Sequence, residues 1–304
     1  MHPIRLTPAA KNYLWGGKKL ITQYHKPSAE PTMAESWELS FHPDGLTTTP
    51  EGLPVTEAIG RELWGTALQK FSEFPQLIKL IDAEKDLSVQ VHPSDEYALK
   101  HENSYGKTET WYIVAAEEGA GIYLGFREAI TPEMLETAIE NNTLTALLNF
   151  FPVQAGECYF IPAGTIHAIG KGCLICEIQQ NSNLTYRVYD YGRVDANGNP
   201  RELHVEKAKA VADLQKFEYR PLSIPTEEGT IIARCEYFTV KKLALKGAKT
   251  LPCSPLSFKY VICLEGEATL EGEPLTPGTS YFIPAGSGEV HLAGEALLIT
   301  SEIE

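Results

Sequence analysis

Hydrophobic and polar residues alternate over short segments along most of the chain, a pattern typical of β-strands with one buried face. Helical spacing of apolar residues is confined to 56–69 and 131–150, and 203–214 is either a short helix or a linker. The pattern therefore predicts a mainly β protein with a few helices. The predicted strands are 74–83, 87–93, 109–116, 157–163, 173–180, 185–192 and 259–266.

Local signals support the start of the helix at 131–150 and the end of the strand at 185–192. Thr131, Pro132 and Glu133 supply a cap residue, a proline at the first helical position and an acidic first turn, so the second helix should begin there. Asn197-Gly198 is a dipeptide that favours a tight hairpin turn, and it follows the strand predicted at 185–192.

The strand-rich halves of the chain repeat each other. Residues 155–164 (AGECYFIPAG) match residues 277–286 (PGTSYFIPAG), and TWYIV after Glu109 matches FKYVI after Ser257. The second pair lies further apart along the chain than the first, by roughly the length of the 131–150 helix and its loops. We therefore expect two related β-barrels, the first carrying helical insertions within 1–215 and the second spanning 216–304.

Composition excludes several classes of function. The 304 residues carry a formal net charge of -14, which argues against nucleic-acid partners. There is no apolar run suited to a signal peptide or a membrane span. Six cysteines are sparse for a chain of this length, and Cys173-x-x-Cys176 has no partner pair, so reduced core thiols are favoured over a redox or metal role. We expect a cytoplasmic protein; the oligomeric state is left open.

Polar residues cluster at strand positions that share a face. In the segment 87–93, Ser88, Gln90 and His92 lie on one side and must face water or a polar cavity. Lys107 and Glu109 share a face by the same two-residue spacing.

A third motif, G-x5-P-x-G-x2-H, ends at His167. Together Gln90, His92, Glu109 and His167 offer a nitrogen and oxygen shell for one divalent metal, and the absence of a thiolate from this set argues against a structural cysteine site. This donor set favours zinc, with one ion per chain; iron and manganese are compatible with it.

The repeat provides an internal control. Shifted by the spacing of the matched motifs, the four candidate ligands fall on Phe238, Val240, Ser257 and Glu289, which do not reproduce the set. His291 lies nearby and is interpreted as unrelated. The second barrel is therefore expected to bind no metal.

At this point a family resemblance can be stated. The motif ending at His167 resembles the second motif of the cupin superfamily. SVQVHP, GKTETWYI, YFIPAGTIHAIG and TYRVYDYG, with AESWELS and YLWGG, resemble the short bacterial form of the mannose-6-phosphate isomerases. The fold class implied is mainly β, with two cupin-like (jelly-roll) barrels and helices inserted in or flanking the first.

The resemblance implies roles for individual residues. Gln90, His92, Glu109 and His167 would bind zinc, with Gln90 the least firmly held. Arg187 would be the catalytic arginine, Lys107 would contact the substrate, and Glu177 would line the pocket. The family usually has an acid where Asn183 stands here.

The implied reaction interconverts mannose 6-phosphate and fructose 6-phosphate through a cis-enediol. Glu177 is the favoured base, with a metal-bound water as its rival. Lys79 and Arg193 are candidates for binding the phosphate. Trp15 and Trp37 either form walls of the sugar pocket or are buried in the core.

Two other classes of function remain open. An iron-dependent cupin oxidoreductase usually has a histidine where Gln90 stands. A non-catalytic sugar-binding cupin would have less need of Lys107 and Arg187 beside the metal ligands.

Overall fold

A computed structural model of the chain describes residues 1–194 and 198–304. Asn197, the first residue of the turn predicted at Asn197-Gly198, lies outside the described residues. The helices are α1 (Lys19–Thr22), α2 (Val55–Ala58), α3 (Asp95–His101), α4 (Pro132–Glu140) and α5 (Val205–Val211). Three short 3-10 turns span Arg61–Leu63, Thr66–Leu68 and Leu144–Leu147.

Strands dominate the described parts of the chain, as the alternating pattern predicts. All seven predicted strand segments contain a strand, although most are shorter than predicted. The strands are β1 (Ile4–Arg5), β2 (Ala9–Lys11), β3 (Glu35–Leu39), β4 (Gln76–Ala83), β5 (Val89–Val91), β6 (Glu109–Ala116), β7 (Gly121–Phe126), β8 (Leu148–Pro152), β9 (Cys158–Ile161), β10 (His167–Ile169), β11 (Cys173–Gln180), β12 (Tyr186–Tyr189), β13 (Ile224–Pro225), β14 (Thr230–Arg234), β15 (Thr239–Cys253), β16 (Lys259–Leu270), β17 (Glu273–Leu275), β18 (Ser280–Ile283) and β19 (Gly288–Glu302).

The helix predicted over 131–150 is correct at its start and wrong at its end. Thr131 caps α4, because its Oγ1 accepts a hydrogen bond of 3.3 Å from the Met134 amide. Asn142 adopts a left-handed φ of 57°, which ends the helical backbone. The remainder forms a 3-10 turn and then β8, which pairs with β7.

The helix predicted over 56–69 is also broken into short pieces. Gly65 has a φ of 104°, and a Cβ there would lie 2.4 Å from the Leu256 carbonyl oxygen. This close approach ties the segment to the second half of the chain, where the Thr66 amide donates to the Pro255 carbonyl at 3.0 Å. The prediction for 203–214 is confirmed by α5, whereas α3 has no counterpart among the predicted helices.

The first barrel consists of two antiparallel sheets. One has the strand order β12-β5-β10-β7-β8 and the other β2-β3-β4-β11-β6-β9. Apolar side chains from both sheets, including Trp111, Ile122, Ile169 and Ile175, fill the space between them. The interior of this barrel is therefore a packed core into which the polar positions of β5, β6 and β10 are inserted.

The second barrel is formed by one strongly bent sheet. Its order is β1-β18-β16-β19-β15-β14-β13, with β17 paired to β16. The long strands β15, β16 and β19 enclose an apolar interior that includes Val261, Leu298 and Leu292. Strand β1, from the N-terminus of the chain, completes this sheet rather than the first barrel. The two cupin-like barrels expected from the repeat are confirmed.

The two barrels pack back to back through a large apolar core. Ile78, Cys176 and Ile178 point into it from the first barrel, and Tyr260 and Ile262 from the second. Alternate residues of β11 therefore face different cores, because successive side chains of a strand point to opposite sides. Cys173 and Cys176, three residues apart, consequently belong to different cores and are both free thiols.

Strand pairing corrects the correspondence between the repeats. Glu109 pairs with Ile161, and Lys259 pairs with Ile283, the same residue of the repeated motif. Lys259, not Ser257, therefore occupies the position of Glu109.

Two of the other correspondences change as well. Gln90 pairs with His167 of β10, whereas Glu289 pairs with Pro252 and its buried neighbour Val290 pairs with Leu251. Residues near 251–253 of β15, rather than Phe238 and Val240, therefore lie in the region that corresponds to Gln90 and His92. The sequence shift misplaced these two because α3 is inserted between β5 and β6 of the first barrel only.

The structure also bears on membrane association. Within the two described ranges, no helix has the length and apolar character needed to cross a bilayer.

Candidate metal centre and active site

Three of the four predicted ligands converge inside the first barrel. The side-chain donor atoms of His92, Glu109 and His167 all lie within 4.8 Å of one another. The Glu109 carboxylate is central, with 3.3 Å between its Oε1 and His167 Nε2 and 3.7 Å between its Oε2 and His92 Nε2. All three side chains are buried, and Glu109 Oε1 has no hydrogen-bond partner among the described residues. A buried carboxylate oxygen without a partner is costly unless something else satisfies it, and a bound cation would do so.

Both imidazole rings are fixed by backbone carbonyls. The Nδ1 atoms of His92 and His167 lie 2.8 Å from the carbonyl oxygens of Leu184 and Thr165, respectively. Donation from Nδ1–H leaves both Nε2 lone pairs directed towards Glu109, and this second-layer arrangement is typical of metal-binding histidines.

Burial sets the charge of the three groups. Desolvation lowers the pKa of His167 to about 3 and that of His92 well below its usual range, with the Lys107 ammonium adding to both effects. Both rings are therefore neutral at physiological pH, the form that binds metals. Burial also raises the pKa of Glu109 to about 8, and a nearby divalent cation would favour its ionised form.

Gln90 lies at the edge of this triad. It is directly opposite His167 in the β5–β10 pairing, and its Nε2 is 3.4 Å from His167 Nε2. A half-turn of the amide would present its oxygen to the same space. The position suits a fourth, more weakly held ligand.

A buried network of charges adjoins the triad. The Lys107 ammonium donates to Glu109 Oε2, lies 3.2 Å from His92 Nε2 and is 3.6 Å from Glu177 Oε1. Glu177 also accepts from Trp111 Nε1 at 2.9 Å and pairs with Lys79 at 3.2 Å. Burial alone would raise the pKa of Glu177, but the two ammonium groups lower it to about 2, so the carboxylate is ionised.

A cavity of about 310 Å³ opens beside the network. Its lining joins the sequence-predicted residues Gln90, Lys107, Glu177, Asn183 and Arg187 in one place. Trp15 belongs to the wall, whereas Trp37 is fully buried and donates from its Nε1 to Glu35 at 2.7 Å.

The two phosphate candidates differ in position. Lys79 lines the cavity, but its ammonium is paired with the carboxylates of Glu35 and Glu177. Arg193 is absent from the lining and binds Asp190 together with the carbonyl oxygen of Asp86.

Arg187 is held in the wall by neutral partners. Its Nε donates to Ser88 Oγ at 3.2 Å and its Nη1 to the Glu202 carbonyl at 3.1 Å. Burial lowers its pKa from the usual value, and the nearby Arg201 lowers it further. Arginine nevertheless remains charged at any physiological pH, so a fixed positive charge faces the cavity.

Comparisons with known proteins agree with this geometry. Residues 4–118 match the family described as "Phosphomannose isomerase type I, catalytic domain", and residues 227–303 match "Mannose-6-phosphate isomerase, cupin domain". The mannose-6-phosphate isomerase ManA of Bacillus subtilis is 38% identical over 315 residues, covering 99% of each chain. The chain belongs to the mannose-6-phosphate isomerases. These enzymes are aldose–ketose isomerases, and the family expected from the sequence motifs is confirmed.

Two further relatives support membership of the mannose-6-phosphate isomerase family. The mannose-6-phosphate isomerase of Streptococcus mutans is 37% identical over 311 residues, covering 98% of each chain. The crystal structure of the mannose 6-phosphate isomerase from Bacillus subtilis superposes with a TM-score of 0.91 at 35% identity, with both chains covered completely. The mannose-6-phosphate isomerase fold therefore extends over the whole chain.

Several residues of the cavity wall were assigned no role from the sequence. Tyr13, Glu35, Ser88, Thr185 and Arg201 all contribute to it. Ser88 was recognisable as a member of the polar face of β5. Arg201 follows β12 in a segment without regular periodicity, so no pattern in the sequence marks it.

Proposed function

We propose that this chain interconverts mannose 6-phosphate and fructose 6-phosphate, using one zinc ion bound by His92, Glu109 and His167, with Gln90 as a fourth ligand. The observation that carries the proposal is the convergence of the two imidazoles and the carboxylate next to a cavity lined by Lys107, Glu177 and Arg187. Neutral imidazoles and a carboxylate are donors that suit zinc. Zinc would supply Lewis acidity towards the oxygens on C1 and C2 of the sugar.

The chain's own residues would move the proton between C1 and C2. Glu177 is ionised and lines the cavity, so it is our candidate for the base that takes the proton as the cis-enediol forms. Lys107 lies 3.6 Å from Glu177 and would hold it in place while binding a sugar hydroxyl. The pairing of Glu177 with two lysines keeps its carboxylate ionised and so able to accept a proton, although it also makes the carboxylate a weaker base.

Arg187 would stabilise the negative charge that develops on the sugar oxygens. Its permanent charge and forked donors suit oxyanion binding and exclude a role as base. Asn183, at a position where the family resemblance implies an acid, donates to Asp44 Oδ2 at 2.8 Å and so acts as a hydrogen-bond donor at the rim.

The alternatives account less well for these residues. An iron-dependent oxidoreductase would gain from a third histidine, but Gln90 occupies that position. A non-catalytic sugar-binding cupin gives no reason for two buried lysines to be paired with carboxylates beside the triad. We further propose that residues 1–215 form the catalytic domain and 216–304 a metal-free domain, with a sugar phosphate as the partner.

A coupled assay of mannose 6-phosphate isomerisation tests the proposal. Activity should disappear on dialysis against a chelator and return with stoichiometric zinc. Arg187→Ala should lower kcat by about a hundredfold or more, as expected for losing a charged donor in the transition state, while metal content stays at one ion per chain. Activity that survives complete metal removal, or oxygen uptake by the iron-loaded protein, would contradict it.

A further inference from the structure

Positive charge exceeds negative charge on one side of the cavity. Three arginines, Arg187, Arg193 and Arg201, lie near one buried carboxylate, that of Asp190. Arg201 binds it through Nε at 2.7 Å and Nη2 at 2.5 Å, and Arg193 binds it as well. Within the described residues, the guanidinium of Arg187 hydrogen-bonds only to neutral oxygens. The Asp190 carboxylate thus pairs with two guanidinium groups and leaves that of Arg187 without an ion-pair partner, in a chain whose net charge is -14.

The other side of the cavity has no surplus of positive charge, since two lysines face three carboxylates. The ammonium of Lys107 is matched by Glu109 and Glu177, and that of Lys79 by Glu35 and Glu177. Neither lysine has charge left over for a substrate anion. The surplus belongs to the arginine side, where burial and the repulsion from Arg201 lower the pKa of Arg187.

Strand register places this surplus at a distance from the metal ligands. His167 pairs with Gln90, and Gln90 pairs with Arg187, so the three residues form a row across neighbouring strands. Two strand spacings amount to about 10 Å. A hexose 6-phosphate has the same polarity, with its reacting carbons at one end and its dianion on C6.

The segment after β12 extends this row outwards. The His204 amide donates to the Arg187 carbonyl at 2.7 Å, and the Arg187 amide donates to His204 Nδ1 at 3.2 Å. The Glu202 carbonyl accepts from Arg187 Nη1. The same short segment therefore fixes Arg187 and brings Arg201 to the cavity wall.

We propose that Arg201, oriented by Asp190, binds the phosphate group of the substrate, with Arg187 between it and the metal ligands. The proposal rests on the proposed function and adds the residue that selects phosphorylated sugars. Asp190 acts as a positioning residue, because its two carboxylate oxygens fix the planar guanidinium and leave the remaining edge for a phosphate oxygen. Arg193 also binds this carboxylate but does not line the cavity.

Steady-state kinetics of the zinc-loaded enzyme test this role. Arg201→Gln should raise KM for mannose 6-phosphate by about 10- to 100-fold with a smaller change in kcat, because a charge-assisted hydrogen bond to the substrate is lost. Inorganic phosphate should inhibit the wild type competitively, and its Ki should rise in the variant. Arg201→Lys keeps the positive charge but loses the forked guanidinium, so its KM and phosphate Ki should lie between those of the wild type and of Arg201→Gln.

Arg193→Gln is the matched control, since it removes a guanidinium from the same carboxylate without removing one from the cavity. It should leave KM and the phosphate Ki nearly unchanged. An unchanged KM in Arg201→Gln, or an equal rise in both variants, would overturn the assignment of Arg201. A wild type without isomerase activity would instead overturn the proposed function. If Arg201→Gln does not fold, the KM and phosphate Ki of Arg201→Lys test the assignment instead, and values equal to those of the wild type would overturn it.

Discussion

The two barrels share a pattern of strand pairing but differ in what their interiors contain. In the first, Glu109 is surrounded by two neutral imidazoles and the Lys107 ammonium. In the second, the corresponding Lys259 is paired with Glu228 and Glu302, both at 2.6 Å. Reversing the charge at one position thus accompanies the replacement of a metal-ligand set by an ion-pair network. The scaffold accepts buried charge in either form, provided that each charge has a partner.

One buried lysine is common to both barrels. Lys79 pairs across the sheet with Glu177, and Lys241, at the equivalent position of β15, pairs with Thr300. Lys241 instead forms ion pairs with Glu302 at 2.5 Å and Glu228 at 3.4 Å. A lysine at this position is therefore compatible with either kind of interior. What distinguishes the metal-ligand set of the first barrel is the presence of His92 and His167.

The sharpest test of the comparison is removal of one histidine from each barrel. His167→Ala should reduce bound metal from one ion per chain to almost none and abolish isomerase activity, because a three-ligand site loses a firm donor. Its control, His291→Ala, removes an exposed histidine of the second barrel and should alter neither. Metal analysis after gel filtration, combined with the coupled assay, measures both. Metal loss in His291→Ala would contradict a metal-free second barrel.

The next test concerns the core between the barrels. Ile178→Ala and Ile262→Ala remove side chains that enter this core from opposite sides, and each should lower the free energy of unfolding by about 2–5 kcal/mol. Because both barrels depend on the same core, urea unfolding should remain a single transition in each variant. Separate transitions for the two barrels would show that they are stabilised independently.

A third test probes the ion-pair network of the second barrel. Lys259→Ala should lower the free energy of unfolding by about 2–4 kcal/mol, since it leaves the carboxylates of Glu228 and Glu302 with one lysine fewer in a partly buried site. Lys246→Ala, at an exposed position of β15, should change it by less than about 0.5 kcal/mol. Metal content and kcat should be unaffected by either change. A drop in bound metal in Lys259→Ala would mean that the second interior influences the first.

The smallest effect is expected in the helix that the second barrel lacks. Thr131→Ala removes the cap of α4 and should cost about 1 kcal/mol in unfolding free energy. Thr137→Ala, at an exposed position inside the same helix, should be neutral or slightly stabilising, since alanine is the better helix former. Urea titrations of the two variants give the comparison. Equal losses would indicate that the Thr131 hydroxyl contributes nothing as a cap.

Much of the site was predictable because its residues lie on strands with regular periodicity. The two-residue spacing of Gln90 and His92, and of Lys107 and Glu109, fixes a common face whatever the rest of the fold does. The motif ending at His167 supplied the third element. The convergence of the triad follows from these three local patterns.

The features of the fold and site that could not be predicted from the sequence depend on strand register and on segments without regular periodicity. Strand pairing places Lys259 opposite Ile283, as Glu109 is opposite Ile161. The sequence match was two residues out of this register and therefore aligned Glu109 with Ser257. Helix α3 was missed because seven residues give a weak periodic signal. Arg201 joins the site through a loop whose path is set by hydrogen bonds to Arg187 and Asp190.

Neighbouring residues of β11 connect the cavity beside the metal-ligand triad to the apolar core between the two barrels. Glu177 reaches the cavity, while Cys176 and Ile178, on either side of it, are packed against the second barrel. Directed evolution of substrate preference therefore has targets beyond the pocket itself. Altering the size of residues such as Tyr260 or Ile262 could shift the candidate base by fractions of an ångström without touching any group that meets the sugar.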